Sequence, residues 1–508
     1  MPFPDYTDPR ELQRLVLTWE KGLMEDVEQS RVPVGYAVQL ENWRPEPDGG
    51  LRARVGWSKG STTSIPADGG GATYGTRRIR GIGYCPFTSQ RYVVGHDNGN
   101  NQIALLALPR SNLSGGTWAS LGLVTATSNT TKSVDFTFGL GNLWVTNPGF
   151  TKVNAYDGAS LTSVTASPAN ATCVEFWRNR IWAGGGSTAY RVYYSAIDSA
   201  TGSTDWPASN VMDFGRDDGE QIEDLAVFND MLIVGKQNGV WIVAGDNPDN
   251  FQKQPMPYVG GTSPGCAVGK SLLPTPYGLI IVGNENVWLF DGQQAKVISN
   301  AIDSTFSIAT TSYVSTAYID RKCYIADNGI TNRIYVFNVE TQAWAVETLS
   351  STAEFPGALM GHFGNLLMGP SGGTIGSMLN YRAHPSSTRI KDYGVTSDIA
   401  ETFIAKSPEL WPLGALRPST LRHIELIVRQ RVATGAIPLV VTPTLDGVAQ
   451  SAINVTIPGA TGTYRYRLDV GYTGYSHQLQ LSHTLAATQG PIFDVEETAL
   501  LFAPEGFR

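Results

Sequence analysis

Apolar and polar positions alternate in short runs along most of this chain, and Gly, Asn, Asp and Pro interrupt the runs. Alternation with a period of two predicts half-buried strands, and the interrupting residues predict tight turns between them. One segment departs from this pattern. Asp8 is placed to cap, Pro9 suits a first helical position, and Leu12, Leu15, Val16 and Trp19 follow at helical spacing before Gly22. A short N-terminal helix is expected there.

From about residue 74 to 385 one pattern recurs: apolar strand, short polar turn, apolar strand, Gly/Asn turn, aromatic strand. Copies include VDFTFGLGNLWVTNPGFTKVNAYDG, VEFWRNRIWAGGGSTAYRVYYS and LAVFNDMLIVGKQNGVWIVAG. The first turns fall near residues 88, 141, 179, 230, 278, 321 and 364. Their spacing of roughly 40 to 50 residues is the period of a four-stranded propeller blade. Each blade covers one face with the previous blade and one with the next, so a strand such as 279–282 is apolar at every position. The chain therefore reads as all-β, with a β-propeller of about seven blades. The seventh unit is short of strands, and residues 51–57 are expected to return and close the ring, which also removes exposed edges.

After Pro385 the period stops, and longer alternating strands follow in LRHIELIVRQ, IPLVVTPTLDG, YRYRLDVG and HQLQLSHTL. They suit a C-terminal antiparallel β-sandwich of about 100 residues. In the first, Arg and Glu alternate with Leu421, Ile424, Leu426 and Val428, giving one wet and one buried face. The expected division is 1–50 for the helix and arm, 51–388 for the propeller and 389–508 for the sandwich. A chain of 508 residues exceeds what one core serves, which agrees.

Composition narrows the function classes. Only 16% of residues are charged, whereas 55 Gly and 29 Pro supply turns and 51 aromatic residues supply core, so disorder is excluded. The net charge of −8 offers nucleic acid no general attraction, although a wall past which DNA slides is better without a basic surface. Cys85, Cys173, Cys266 and Cys323 show no paired spacing, so buried free thiols are expected in a chain folded in a reducing cytosol. The start MPFPDYTDPRELQ lacks the pattern of a secretory signal, and no run of about 18 apolar residues predicts a membrane span.

Candidate chemistry is sparse. His96, His362, His384, His423, His477 and His483 form no H-x-x-H or H-E-x-x-H pair, and His423 and His477 read as wet-face strand positions. The densest acids are Asp213, Asp217, Asp218, Glu220, Glu223 and Asp224. Their spacing fits no calcium loop, so they read as a solvated connection between blades without a structural metal. Arg77, Arg78 and Arg80 make the best basic patch but lack interleaved aromatics. The glycine-rich 369–376 joins strands and opens no helix onto a phosphate, and the S-A-I-D-S-A-T-G run lacks the spacing of a sialidase Asp-box. No catalytic residue, cofactor site or metal site is expected, and no enzyme activity.

Three stretches carry a family resemblance. The first is SRVPVGYAVQLENWRPEPDGGLRARVGWSKG, with Pro33, Gly35, Ala37, Asn42, Gly50, Leu51, Arg52, Arg54 and Gly56 as the matching residues. RVYYSAIDSATGSTDWP with the following DFGRDDGEQIEDLAVFNDMLIVGKQNGVWIVAG is the second, and GLIIVGNENVWLFDGQQAKVISNAI the third. In this order they resemble the tail nozzle, hub or packaged-DNA stabilisation proteins of short-tailed phages. The resemblance covers about residues 25–300. It implies a virion subunit made in the host cytoplasm, forming a homo-oligomeric, sixfold ring around the DNA exit channel. Its partners would be other tail or neck subunits, and double-stranded DNA that passes without specific binding. A carbohydrate-binding tail propeller is the alternative, and a glycan hydrolase with dispersed acids is a third reading.

Overall fold

The computed structural model describes residues 12–54, 58–59, 78–87, 91–97, 102–112, 118–125, 133–303, 306–308, 313–328, 333–349, 356–370, 380–383, 401–414, 417–431, 436–485 and 493–504. Seven antiparallel meanders follow one another between residues 78 and 383. Blade 1 spans 78–125, blade 2 135–163, blade 3 171–213 and blade 4 222–255. Blade 5 spans 272–297, blade 6 313–348 and blade 7 356–383. The innermost strands are Arg78–Cys85, Asp135–Gly139, Ala171–Trp177, Ile222–Phe228, Leu272–Thr275, Tyr313–Ile319 and Pro356–His362. Each touches the next, and the last touches the first, so the ring is closed.

The first hairpin of most blades is set locally. Leu140/Gly141, Arg178/Asn179, Asn229/Asp230, Asp320/Arg321 and Phe363/Gly364 all have positive φ at both central residues. Two such residues match the right-handed twist of the flanking strands, which is why Gly, Asn and Asp recur there. Crowding at the hub is set by glycine. A Cβ on Gly81 of blade 1 would stand 1.9 Å from the carbonyl oxygen of Val134, beside blade 2.

The core is a set of slabs between blades. Separate buried apolar clusters fill the gaps 7/1, 1/2, 2/3, 3/4, 4/5 and 6/7. The gap between blades 5 and 6 is different, because its cluster runs on into the C-terminal sandwich. The outer strand of blade 6, Ala343–Thr348, meets Gln39–Glu41, which pairs with Glu401–Lys406 and so with His477–Leu485 and Ile437–Leu445. One continuous sheet thus joins the two lobes. The opposing sheet orders Gly462–Gly474, Ser419–Gln430 and Phe493–Pro504, then Leu51–Ala53 and Trp43–Pro45.

Leu421, Ile424, Leu426 and Val428 are buried as the alternation predicts. A register shift between Leu421 and His423 absorbs the odd spacing. The four cysteines are free and buried.

Three expectations are corrected. Residues 13–17 form a strand, not a helix, and pair antiparallel with Phe493–Pro504, Gln13 opposite Phe502 and Leu17 opposite Thr498. Leu12, Leu15, Val16 and Trp19 satisfy a helical spacing over one short window. The long partner strand offers a complete ladder, which outweighs so brief a helix. Asp8 and Pro9 lie outside the described residues.

The strand that closes blade 7 is Ser58–Lys59, paired with Asn380 and Tyr381. Leu51–Ala53 instead completes the sandwich, against Val495 and Asp494. His477 is buried, not on a wet face, with Nε2 2.9 Å from Ser419 Oγ.

Candidate functional site

Two polar assemblies stand out, one at the hub of the propeller and one where the lobes join. At the hub, inner strands supply Asp135 from blade 2, Glu175 from blade 3 and Asp224 from blade 4. Asp135 Oδ1 accepts the N–H of Phe136 and its Oδ2 that of Val174 in the next blade, at 2.7 and 2.8 Å. Asp224 repeats the arrangement with Leu225 and with Leu272 of the next blade, at 2.9 and 2.8 Å. Each carboxylate therefore staples one inner strand to its neighbour. Ser315 of blade 6 does the same through Oγ, accepting the N–H of Leu359 at 2.7 Å.

Lys270 stands just ahead of blade 5. Its backbone is held beside blade 6, with its N–H on Val314 O at 3.0 Å and its carbonyl accepting Thr316 Oγ1 at 2.9 Å. From there its Nζ reaches Asp135 at 2.6 Å and Asp224 at 3.8 Å.

Burial pushes the Asp224 carboxyl up to about 7, against the pull of Lys270 and with Asp135 adding to the rise. Burial likewise raises Glu175, whose Oε1 accepts Phe176 N–H and Thr137 Oγ1. For Lys270, burial acts to lower the ammonium's value, but Asp135, Asp224 and Glu175 together hold it above the ordinary lysine range. Three acids thus face one ammonium, and their carboxylate oxygens are largely committed to backbone donors. The arrangement binds blades together and can exchange a proton near neutral pH.

At the joint, Asn42 sits at φ 62° and is buried. Its amide donates to Thr348 Oγ1 of blade 6 at 2.8 Å and to Thr402 O of the sandwich at 2.6 Å. Its Oδ1 accepts the Thr348 N–H at 3.0 Å and Arg54 Nε at 2.7 Å. Arg54 is itself fully buried. Beside it Arg44 donates to Glu347 Oε1 at 2.6 Å and to Tyr324 OH at 3.0 Å. Trp43 fills the apolar side, edge-on to Phe403 and Phe493. Blade 6 and the sandwich are therefore held by residues of the arm.

The acids grouped in sequence are separated in space. Asp213 pairs with Arg191 across two strands of blade 3, and that ion pair holds its carboxyl below the usual range. Asp218 pairs with the buried Lys236, Glu220 bonds Asn238, and Asp217 is exposed. Asp224 alone turns into the hub. Among the described residues no three His, Cys, Asp or Glu side chains form a group that could hold a metal.

Arg80 is buried against the Tyr313 ring instead of forming a surface patch. Arg77, His384 and residues 371–376 lie outside the described residues, and of His96 and Arg78 only the backbone is described. His362 packs on Tyr84, where burial first and Arg110 second lower its value. His423 Nδ1 meets Asp469 at 2.7 Å, and His483 Nδ1 meets Pro438 O at 2.7 Å. Among the described residues no helix is long and apolar enough to cross a membrane.

Sequence reasoning missed Asp135, Glu175 and Lys270. The one available signal was an acidic residue within an otherwise apolar inner strand, in VDFTF, VEFW and EDLAVF.

The fold and these assemblies define a class: an all-β β-propeller protein carrying a β-sandwich. No protein-family model matches the chain, and no curated protein matches it. Solved structures do. U3-55K aligns with a TM-score of 0.39 at 9% identity, over 60% of this chain and 95% of that one. The WD40 repeats of RRP9 align at 0.38 and 9%, over 64% and 99%. BamB from Moraxella catarrhalis aligns at 0.38 and 13%, over 68% and 98%. These likenesses concern the propeller fold alone.

Proposed function

We propose that this chain is a structural subunit of a phage tail or neck, one of several copies ringing the DNA exit channel as a nozzle or hub. The observation that carries the reading is the joint. Asn42 and Arg54, which belong to the phage-like N-terminal motif, bond Thr348 of blade 6, and Asn42 also bonds Thr402 of the sandwich, while Leu51 of the same motif pairs with Val495 within the sandwich. A motif whose residues serve rigidity suits a part that transmits no chemistry and holds its shape under load.

On this reading the propeller is a stiff spoke, and loops and the sandwich make the ring contacts. The net charge of −8 lets DNA pass without adhering. Other tail or neck subunits are the partners, the virion is the final location, and synthesis is in the host cytoplasm.

Imaging the parent particle tests the reading. Copies arranged around the DNA channel are expected. Copies found only at the tip of a receptor-binding fibre, or glycan cleavage abolished by mutating one acid, would overturn it.

A further inference from the structure

We propose that the strand Gly462–Gly474 is a docking edge for the same strand of a second copy of this chain, paired antiparallel about Leu468. The strand is 13 residues long and lies at the end of its sheet, with Ser419–Gln430 as its ladder partner on one side. Among the described residues no strand pairs with its other side, whose backbone donors and acceptors are the template on which a further strand adds. Long edges of this kind are commonly blunted by proline, by a charge pointing inward or by a bulge, and this strand carries a register shift at Val470–Gly471, opposite Leu421 and His423. GTYRYRLDVGYTG has no proline, and its inward row is Tyr464, Tyr466, Leu468, Val470 and Tyr472, all half-buried. Tyr464, Tyr466, Leu468 and Val470 pack against the sandwich core and are left partly uncovered at the edge.

The outward row selects the partner and the register. It reads Thr463, Arg465, Arg467, Asp469, Gly471 and Thr473. Two copies of one strand can pair antiparallel with like faces together only about a residue, because a half-step turns the apolar row to the wrong face. Pairing about Arg467 sets that arginine against itself, and pairing about Asp469 opposes two carboxylates.

Pairing about Leu468 sets Arg467 against Asp469 twice, Tyr464 against Tyr472, Tyr466 against Val470 and Gly462 against Gly474. The register shift at Val470–Gly471 and the burial of Gly474 beside Leu445 centre the regular part of this ladder on Arg467, Leu468 and Asp469. Arg465 faces Gly471 and lies diagonal to the partner's Asp469, within reach of a long side chain. At the Gly474 end the exposed Val448 and Tyr475 extend the apolar border of the edge.

This contact is isologous, so it makes a twofold pair and cannot by itself close a ring. It goes beyond the function proposed above and describes the free chain.

Sedimentation of the full-length protein over a range of concentrations tests it. A dimer is expected. Arg467→Asp should weaken it by about tenfold or more, because two attractive pairs become repulsive. Arg467→Asp combined with Asp469→Arg should restore it. Leu468→Cys should give a covalent dimer on mild oxidation, since the two Cβ atoms meet at the axis and the four native cysteines are buried. Unchanged melting temperatures confirm that these variants fold.

A wild-type chain that stays monomeric at its highest soluble concentration overturns the proposal. So does a dimer that survives Arg467→Asp and is not captured by Leu468→Cys. Either result leaves the ring reading standing, because that is decided on the particle.

Discussion

Lys270 Nζ stands 2.6 Å from Asp135 Oδ1, although Lys270 lies at the entry to blade 5 and Asp135 belongs to blade 2 of a ring of seven. The contact spans the propeller hub, from the entry to blade 5 to the first strand of blade 2. It is the one cation facing Asp135, Glu175 and Asp224 among the ion pairs described there. Asp135 and Asp224 also staple the backbone of the next blade, and Glu175 accepts the Thr137 hydroxyl of blade 2, so the hub couples blades that share no sheet.

Lys270→Met should therefore destabilise the protein by about 1–3 kcal/mol. Leaving a buried carboxylate unpaired costs roughly 3–5 kcal/mol. The loss is discounted because the Lys270 side chain keeps 37% of its exposure and water can replace part of the pairing. Urea unfolding of both proteins at one pH measures it, and an unchanged midpoint would remove the hub from any stabilising role.

The pH dependence of that hub has a definite sign. Burial raises the folded-state value of Asp224 to about 7, far above its unfolded value. Its contribution is thus fully present below the unfolded value of about 4 and is lost as pH rises through about 7. Asp224→Asn keeps a carbonyl acceptor and cannot ionise. The stability difference between wild type and this variant should shift in the variant's favour between pH 5 and 8. A difference that is flat across that window refutes the assignment.

Asn42→Ala should cost about 2–4 kcal/mol. The variant loses the bonds to Thr348, Thr402 and Arg54, and it leaves an alanine at φ 62°. Calorimetry should show a lower melting temperature and a sandwich transition that separates from the propeller's. A single unshifted transition would show that the joint lies elsewhere.

Gly81→Ala should be worse than a surface change by at least about 3 kcal/mol. The obstacle to its Cβ is a backbone carbonyl, Val134 O, at 1.9 Å, and backbone at the hub cannot rotate away as a side chain can. Soluble yield and thermal unfolding check this, with Gly261→Ala as a comparison because nothing stands within 4 Å of that Cβ and its backbone is not left-handed.

By itself the sequence determined what local chemistry can encode. Hairpins at 140–141, 178–179, 229–230, 320–321 and 363–364 were legible because Gly, Asn and Asp tolerate positive φ. Blade period was legible because each repeat carries its own two-residue alternation. The wet and dry faces of Ser419–Gln430 followed from the same rule.

Pairing over long separations was not legible. Residues 13–17 satisfy a helical spacing, and only the strand 493–504, some 480 residues away, makes them a strand. Residues 51–57 read as the closing segment, yet Leu51–Ala53 joins the sandwich and the following Ser58–Lys59 closes blade 7. Asp224 sits among surface acids in sequence and turns into the hub in space, because alternation along its strand selects a face but cannot say what that face meets. Lys270 has no local signature at all. Its role exists only once seven blades close and bring three desolvated carboxyls within reach of its ammonium. Burial and charge proximity are properties of the assembled ring, and tertiary structure alone decided them.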